Sequence, residues 1–282
     1  MLAHEFMRNA LVAGSVVGIA CGLVGYFVVL RAQVFAGDAL SHVAFTGALA
    51  AAALGVDLRF GLFAATILGG LVMGALGDRA RPDDVVIGTL FAWVLGLGVL
   101  FLSIFTTSGS GSRDNGAAGV RVLFGSIFGL SSQDVWTSVA LAAIAVAVLA
   151  AVARPLLYAS IDAAVAAAQG VPVRALGLAF LCVVGIVAGE ATQAIGALLL
   201  LGLLAAPAGA AQLLTVRPYA GLALSAALAL ASVWIGLTLS YVFPTLPPST
   251  MVVSTAVAIY ACALVCASRS RMRFWPRRMV HA

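Results

Sequence analysis

Long stretches nearly free of formal charge follow one another almost from end to end of this chain. They occupy roughly residues 9–30, 38–54, 60–76, 85–105, 135–153, 175–188, 192–214, 218–242 and 249–267. Most are near or above the roughly 18 apolar residues that suggest a transmembrane helix. A soluble domain needs far more surface charge than the 9% of charged residues found here against 63% hydrophobic. A transmembrane β-barrel would alternate apolar and polar residues in segments of about ten, and that alternation is missing. The predicted fold class is therefore all-α, a polytopic membrane protein of about eight or nine transmembrane helices. One membrane domain is expected over residues 1–268, with an arginine-rich tail at 269–282.

The charges that do occur fall mainly between these stretches. The net charge of +5 comes from arginine alone, because the chain contains no lysine. A Walker A loop needs its lysine on the phosphates, so ATP chemistry must come from another subunit and the chain is not itself an enzyme. The basic balance does not suggest nucleic acid, since arginines beside apolar spans act as orientation signals. Arg269, Arg271, Arg273, Arg277 and Arg278 put the tail in the cytoplasm by the positive-inside rule. Counting back places Arg79, Arg81, Arg154, Arg174 and Arg217 on that side and Arg8, Arg59, Arg113 and Arg121 outside. This count gives nine spans and an external N-terminus. Residues 121–134 are too short to cross and read as a half-helix or interfacial helix; a different behaviour there or at the first segment makes the total eight or ten. The first residues lack a basic n-region followed by a small-residue cleavage site, so no cleaved signal is expected. Cys21, Cys182, Cys262 and Cys266 lie in apolar stretches and read as small residues packed between helices.

Within this apolar background, Asp38 and His42 stand out. Four residues apart, they stack on one helix face. An Asp at membrane depth costs roughly 2.5–3.5 kcal/mol on insertion scales, so it usually faces a cavity or a partner. Carboxylate plus imidazole is also a natural ligand set for a divalent transition metal. Separately, each has a plainer reading: Asp38 as the N-cap of a helix begun after a break at Gly37, His42 as a donor to a nearby carbonyl. Glu190, expected in a tight turn between the stretches at 175–188 and 192–214, either faces water or lines an ion path.

Two further patterns organise the chain. Gly14, Gly18 and Gly22 recur every fourth residue, with Gly25 nearby, a stripe that admits a neighbouring helix closely. Between Arg154 and Arg174, Asp162 is placed to cap a short helix over residues 163–169 that Gly170 ends and Pro172 seals. Flanked by arginines, it reads as a docking element or an ordinary surface loop.

These residues carry a resemblance. The run Gly25-Tyr26-Phe27-Val28-Val29-Leu30-Arg31, the core Phe35-Ala36-Gly37-Asp38-Ala39-Leu40-Ser41-His42, and the later Ile87-Gly88, Gly96-Leu97-Gly98-Val99, Leu123-Phe124-Gly125, Gly196-Ala197-Leu198-Leu199 and Pro207-Ala208 occur in order over nearly the whole chain. The chain resembles the zinc/manganese/iron permease subunits of bacterial ABC importers. The resemblance implies a type II-like importer permease fold in the bacterial inner membrane. It implies a second permease copy, two ATP-binding cassette subunits and an extracytoplasmic metal-binding protein as partners. It also implies a transported divalent metal ion (zinc, manganese or iron) with no permanently bound cofactor. By the same resemblance Asp38 and His42 form a metal-sensing gate, which two-fold pairing would supply with two Asp and two His. The segment at 154–174 corresponds to the ATPase-coupling loop, with contacts expected at Asp162, Gln169 and Gly170. The acid that opens the usual Glu-Ala-Ala pattern is absent at Ala164. Two alternatives remain at this stage. One is a proton- or sodium-coupled carrier using Asp38, His42 and Glu190 as a relay; the other is an ABC permease for a metal chelate.

Overall fold

The computed structural model of the chain describes residues 5–77, 81–107 and 125–274. These are helical throughout: α1 (Glu5–Leu30), α2 (Val34–Ala53), α3 (Leu58–Leu76), α4 (Asp84–Thr107), α5 (Ser132–Ile161), α6 (Ala163–Ala168), α7 (Val173–Ile195), α8 (Leu200–Leu214), α9 (Pro218–Val242) and α10 (Pro248–Phe274), with a 3₁₀ turn at Ile127–Gly129. Among the described residues, eight helices are long and apolar enough to cross a membrane, and α8 is a shorter apolar helix of 15 residues. Residues 108–124, and Arg79, Arg277 and Arg278 used with Arg113 and Arg121 in the topology count, lie outside the described residues.

α1 is central, packed against α5, α7, α8 and α9. Its small-residue stripe explains why. A Cβ at Gly22 would lie 2.7 Å from the Ser225 carbonyl oxygen, and the Ser225 hydroxyl donates a 2.6 Å hydrogen bond to the Gly22 carbonyl. A Cβ at Gly25 would lie 2.0 Å from the Leu204 carbonyl oxygen, so only glycine lets α8 lie against α1 here. Lipid tails are as apolar as the side chains they replace, so close backbone approach and interhelical hydrogen bonds do the work of association. α2 is a second hub, packed on α3, α4 and α7. The Thr46 hydroxyl ties it to α4 by donating to the Val94 carbonyl at 3.1 Å.

The local expectations shift in four places. The reversal between α1 and α2 falls at Arg31-Ala32-Gln33, where Ala32 adopts φ +54°, a left-handed conformation uncommon for a residue with a Cβ. α2 therefore starts at Val34 and runs unbroken through Gly37, whose missing Cβ makes room for Leu204 at 2.6 Å. Asp38 is consequently in the second turn and is not an N-cap. α5 continues past 153 to Ile161 with Pro155 inside it, so Arg154 projects from a helix and not from a loop. α7 runs through position 190 to Ile195, and the chain breaks at Gly196 with φ +98°, a region glycine enters at no steric cost. The expected half-helix is, in its described part, the single turn at Ile127–Gly129. Of the cysteines, Cys21 is buried as expected, whereas Cys262 and Cys266 are exposed on α10 and do not pack between helices of this chain.

The polar residues mark two ends. At one end Arg81 donates to the carbonyls of Ala159 and Ser160, and Arg31 reaches the Ser160 hydroxyl. This brings the α1–α2 and α3–α4 turns beside α6. At the other end Asn9 meets Leu130 and Ser132, Glu5 accepts from Ser132, and Arg59 pairs with Asp134.

Candidate functional site

Asp38 and His42 sit one turn apart on α2, as the spacing predicts. Asp38 lines a cavity of about 420 Å³ together with Phe35, Asp84, Ile87, Gly88 and Phe91. His42 is 8% exposed, and its Nδ1 has no hydrogen-bond partner. The donation of His42 to a carbonyl through that nitrogen is therefore not made. Instead the imidazole stands edge-on to Phe91, a wall residue of the same cavity. Between them the Ser41 hydroxyl is shared by the carbonyls of Asp38 at 2.7 Å and Ala197 at 3.1 Å, which ties α2 to the unwound backbone after α7. Asp38 thus lines the cavity, the His42 imidazole packs on its Phe91 wall, and Nδ1 of His42 is committed to no structural hydrogen bond.

Several separated motifs meet here. Ile87-Gly88 faces Asp38 across the cavity, and a side chain at Gly88 would meet open space. Gly98 leaves room for Thr46, whose hydroxyl a Cβ would approach to 2.8 Å. Asp84, the first residue of α4, lines this cavity too; no local signal relates positions 38 and 84. Among the described residues no group of three or more His, Cys, Asp or Glu gathers into a closed metal site.

The other predicted residues lie elsewhere. Asp162 caps α6, its carboxylate accepting from the Ala164 and Val165 amides, both at 2.9 Å. Gln169 closes the helix through its own amide, and Gly170 adopts φ +82°. α6 is anchored by Ala166, packed with Ala159 and Val173, while Ile161, Val165, Gln169 and Gly170 are exposed. Glu190 is not in a turn facing water. It lies inside α7, 3% exposed, with Oε2 lacking a hydrogen-bond partner, in a cavity separate from that of Asp38.

Known proteins share this architecture. The manganese transport system membrane protein MntC of Halalkalibacterium halodurans is 27% identical over 278 residues, 98% of this chain and 92% of the relative. MntC of Listeria monocytogenes is 28% identical over 281 residues, covering 99% and 97%. The structure of PsaBC from Streptococcus pneumoniae in complex with Fab superposes with a TM-score of 0.81 at 26% identity, covering 95% of this chain and 94% of that one. The described residues are all-helical and multi-pass, as the apolar pattern predicts, and residues 3–267 match the ABC 3 transport family. The chain belongs to the ABC 3 transport family.

Proposed function

We propose that the chain is the membrane permease subunit of an ABC importer for a divalent transition metal ion, zinc, manganese or iron. The observation that carries this reading is the Asp38–His42 pair, one turn apart on α2, with Asp38 lining a cavity and His42 packed on the Phe91 wall of that cavity, in a chain whose relatives are named for manganese transport. Two copies related by two-fold symmetry would bring two carboxylates and two imidazoles to one place, a four-ligand set of nitrogen and oxygen donors. Such a set binds transiently when its members are held loosely, and conduction requires that the ion can leave.

The same reading gives the assembly. The permease pair works with two ATP-hydrolysing subunits and receives metal from an extracytoplasmic binding protein. Residues 1–268 form the membrane domain. The arginine tail, α6 and the Arg31–Arg81–Ser160 end are cytoplasmic, which puts Asp162, Gln169 and Gly170 where an ATPase groove can take them. The exposed Ile161 and Val165 supply apolar surface for that contact.

Uptake of manganese into vesicles containing the complete complex tests the proposal. Asp38→Ala and His42→Ala should each abolish uptake while leaving membrane insertion and pairing intact. Normal uptake by both variants rejects the gate. Uptake by the permease alone, without its ATPase and driven by an ion gradient, would replace the importer with a secondary carrier.

A further inference from the structure

Among the described residues, the buried acid that the proposed gate does not use is Glu190. It lies on the wall of a cavity of about 410 Å³ between α3, α5 and α7, shared with Arg59, Thr137 and Gln193. That volume is far above the roughly 10–15 Å³ needed to admit one water. A second cavity of about 240 Å³, reaching Ser126 and Asp134, shares Arg59 and Gln193 with the first. The two spaces therefore meet around the same pair of side chains, at the end opposite α6.

The charges do not balance. Arg59, the cation on this wall, is already occupied: its guanidinium pairs with Asp134 and donates to the Thr137 hydroxyl at 2.9 Å. α3 brings Arg59, α5 brings Asp134 and α7 brings Glu190, so an ionised Glu190 has no cation of its own on this wall. The Ser138 hydroxyl, 5% exposed, stands against the Glu190 carboxyl group, but Oε2 carries no hydrogen bond. A buried carboxylate oxygen without a donor costs several kcal/mol, and an ionisable group held inside a membrane helix marks a functional site by default.

We propose that Glu190 is the anionic ligand of a monovalent-cation site, distinct from the Asp38–His42 gate, with Gln193 and Ser138 supplying neutral oxygens and water completing the shell. The donors are all hard oxygens, unlike the mixed nitrogen and oxygen set at His42, and hard oxygens select hard cations. Charge decides between ions of that class. A single free carboxylate neutralises one positive charge, whereas a divalent ion would leave a charge stranded in a low-dielectric wall. Sodium is the ion this set fits. The pair Arg59–Asp134 lies between the two cavities and controls access to the acid.

Saturable binding of radiolabelled sodium to the purified full-length permease, with choline replacing sodium at constant ionic strength, tests the site. Wild type and Asp38→Ala should bind sodium stoichiometrically. Glu190→Gln, nearly isosteric, should weaken binding at least about tenfold, and Gln193→Leu should weaken it while the protein remains folded by thermal melting. Unchanged affinity in both variants overturns the proposal, as does absence of saturable sodium binding in wild type. A stability response to acidification in place of sodium overturns it too, since the acid would then hold a proton and not a metal ion.

Discussion

His42 stands edge-on to Phe91, with ring centroids 5.0 Å apart and ring planes at 78°. The imidazole Nδ1 has no hydrogen bond to fix it, so the ring of α4 is what orients the imidazole of α2. Aromatic pairs in this arrangement contribute about 0.5–1.5 kcal/mol beyond their buried area. Phe91→Leu keeps most of the apolar volume and removes that orientation. The expected result is a several-fold rise in KM for manganese uptake with little change in Tm, because Phe91 is only half-buried. Saturation kinetics in vesicles decide the matter: an unchanged KM with a lower Tm would make Phe91 a packing residue only.

The α2–α3 crossing rests on two glycines that face each other. A Cβ at Gly47 would come within 2.5 Å of the Gly61 carbonyl oxygen, and one at Gly61 within 2.3 Å of the Gly47 carbonyl oxygen. Neither neighbour is a flexible side chain, so the helices themselves must part. Gly47→Ala and Gly61→Ala should each cost about 1–3 kcal/mol, the usual range for overpacking. Because one separation of the helices relieves both clashes, the double variant should cost less than the two singles added. Thermal melting of the four proteins in detergent measures the non-additivity, and strict additivity would place the two clashes apart.

Much of this was legible in sequence because membrane folding writes a coarse code. Uncharged length gives the spans, the four-residue glycine repeat on α1 gives a close contact, and an acid four residues before a His gives one face. The Asp162 cap and the left-handed Gly170 were equally local, and both stand as read. What failed was tertiary. Gly37 reads as a break, but Leu204 fills the space beside it and the helix continues. Glu190 reads as a turn acid, because an isolated carboxylate in a helix is costly; a cavity on the far side of α3 makes it tolerable. The meeting of Asp38 with Asp84, and of Ser41 with the Ala197 carbonyl, joins residues far apart in the chain that no spacing rule connects.

Asp134 both caps α5 and pairs with Arg59. The Asp134 carboxylate accepts from the Ser131 amide while its own amide donates to the Ser131 hydroxyl, closing a capping box at the start of α5. It also pairs with Arg59, with both side chains about one-third exposed at 31% and 29%. Exposed pairs of this kind contribute about 0.2–1 kcal/mol, and loss of a helix cap costs about 1 kcal/mol. Asp134→Ala should therefore destabilise more than Arg59→Ala, and Asp134→Asn, which keeps a capping oxygen, should fall between them. Denaturation of the three variants gives the order, and equal losses for Asp134→Ala and Arg59→Ala would remove the cap from the account.

The capped helix α6 offers the cleanest separation of stability from transport. It has six residues, too few to hold itself together, and depends on the Asp162 carboxylate for two amides that would otherwise be unsatisfied. Ala166 alone is buried, so little core is lost if the helix frays. Asp162→Ala should cost about 1 kcal/mol locally and shift the Tm of the whole permease slightly. Gly170→Ala forces a residue with a Cβ to hold φ +82°, which costs roughly 1–2 kcal/mol and tilts the chain into α7. If α6 is the element an ATPase grips, both variants should lower metal-dependent ATP hydrolysis and uptake by the complex several-fold, while metal binding by the isolated permease stays at the wild-type level. Asp162→Asn, which keeps the cap without the charge, separates the two roles: full coupling assigns Asp162 to helix formation, and loss equal to Asp162→Ala assigns its charge to the ATPase contact. Wild-type coupling in Asp162→Ala and Gly170→Ala together would mean that the ATPase engages the permease elsewhere.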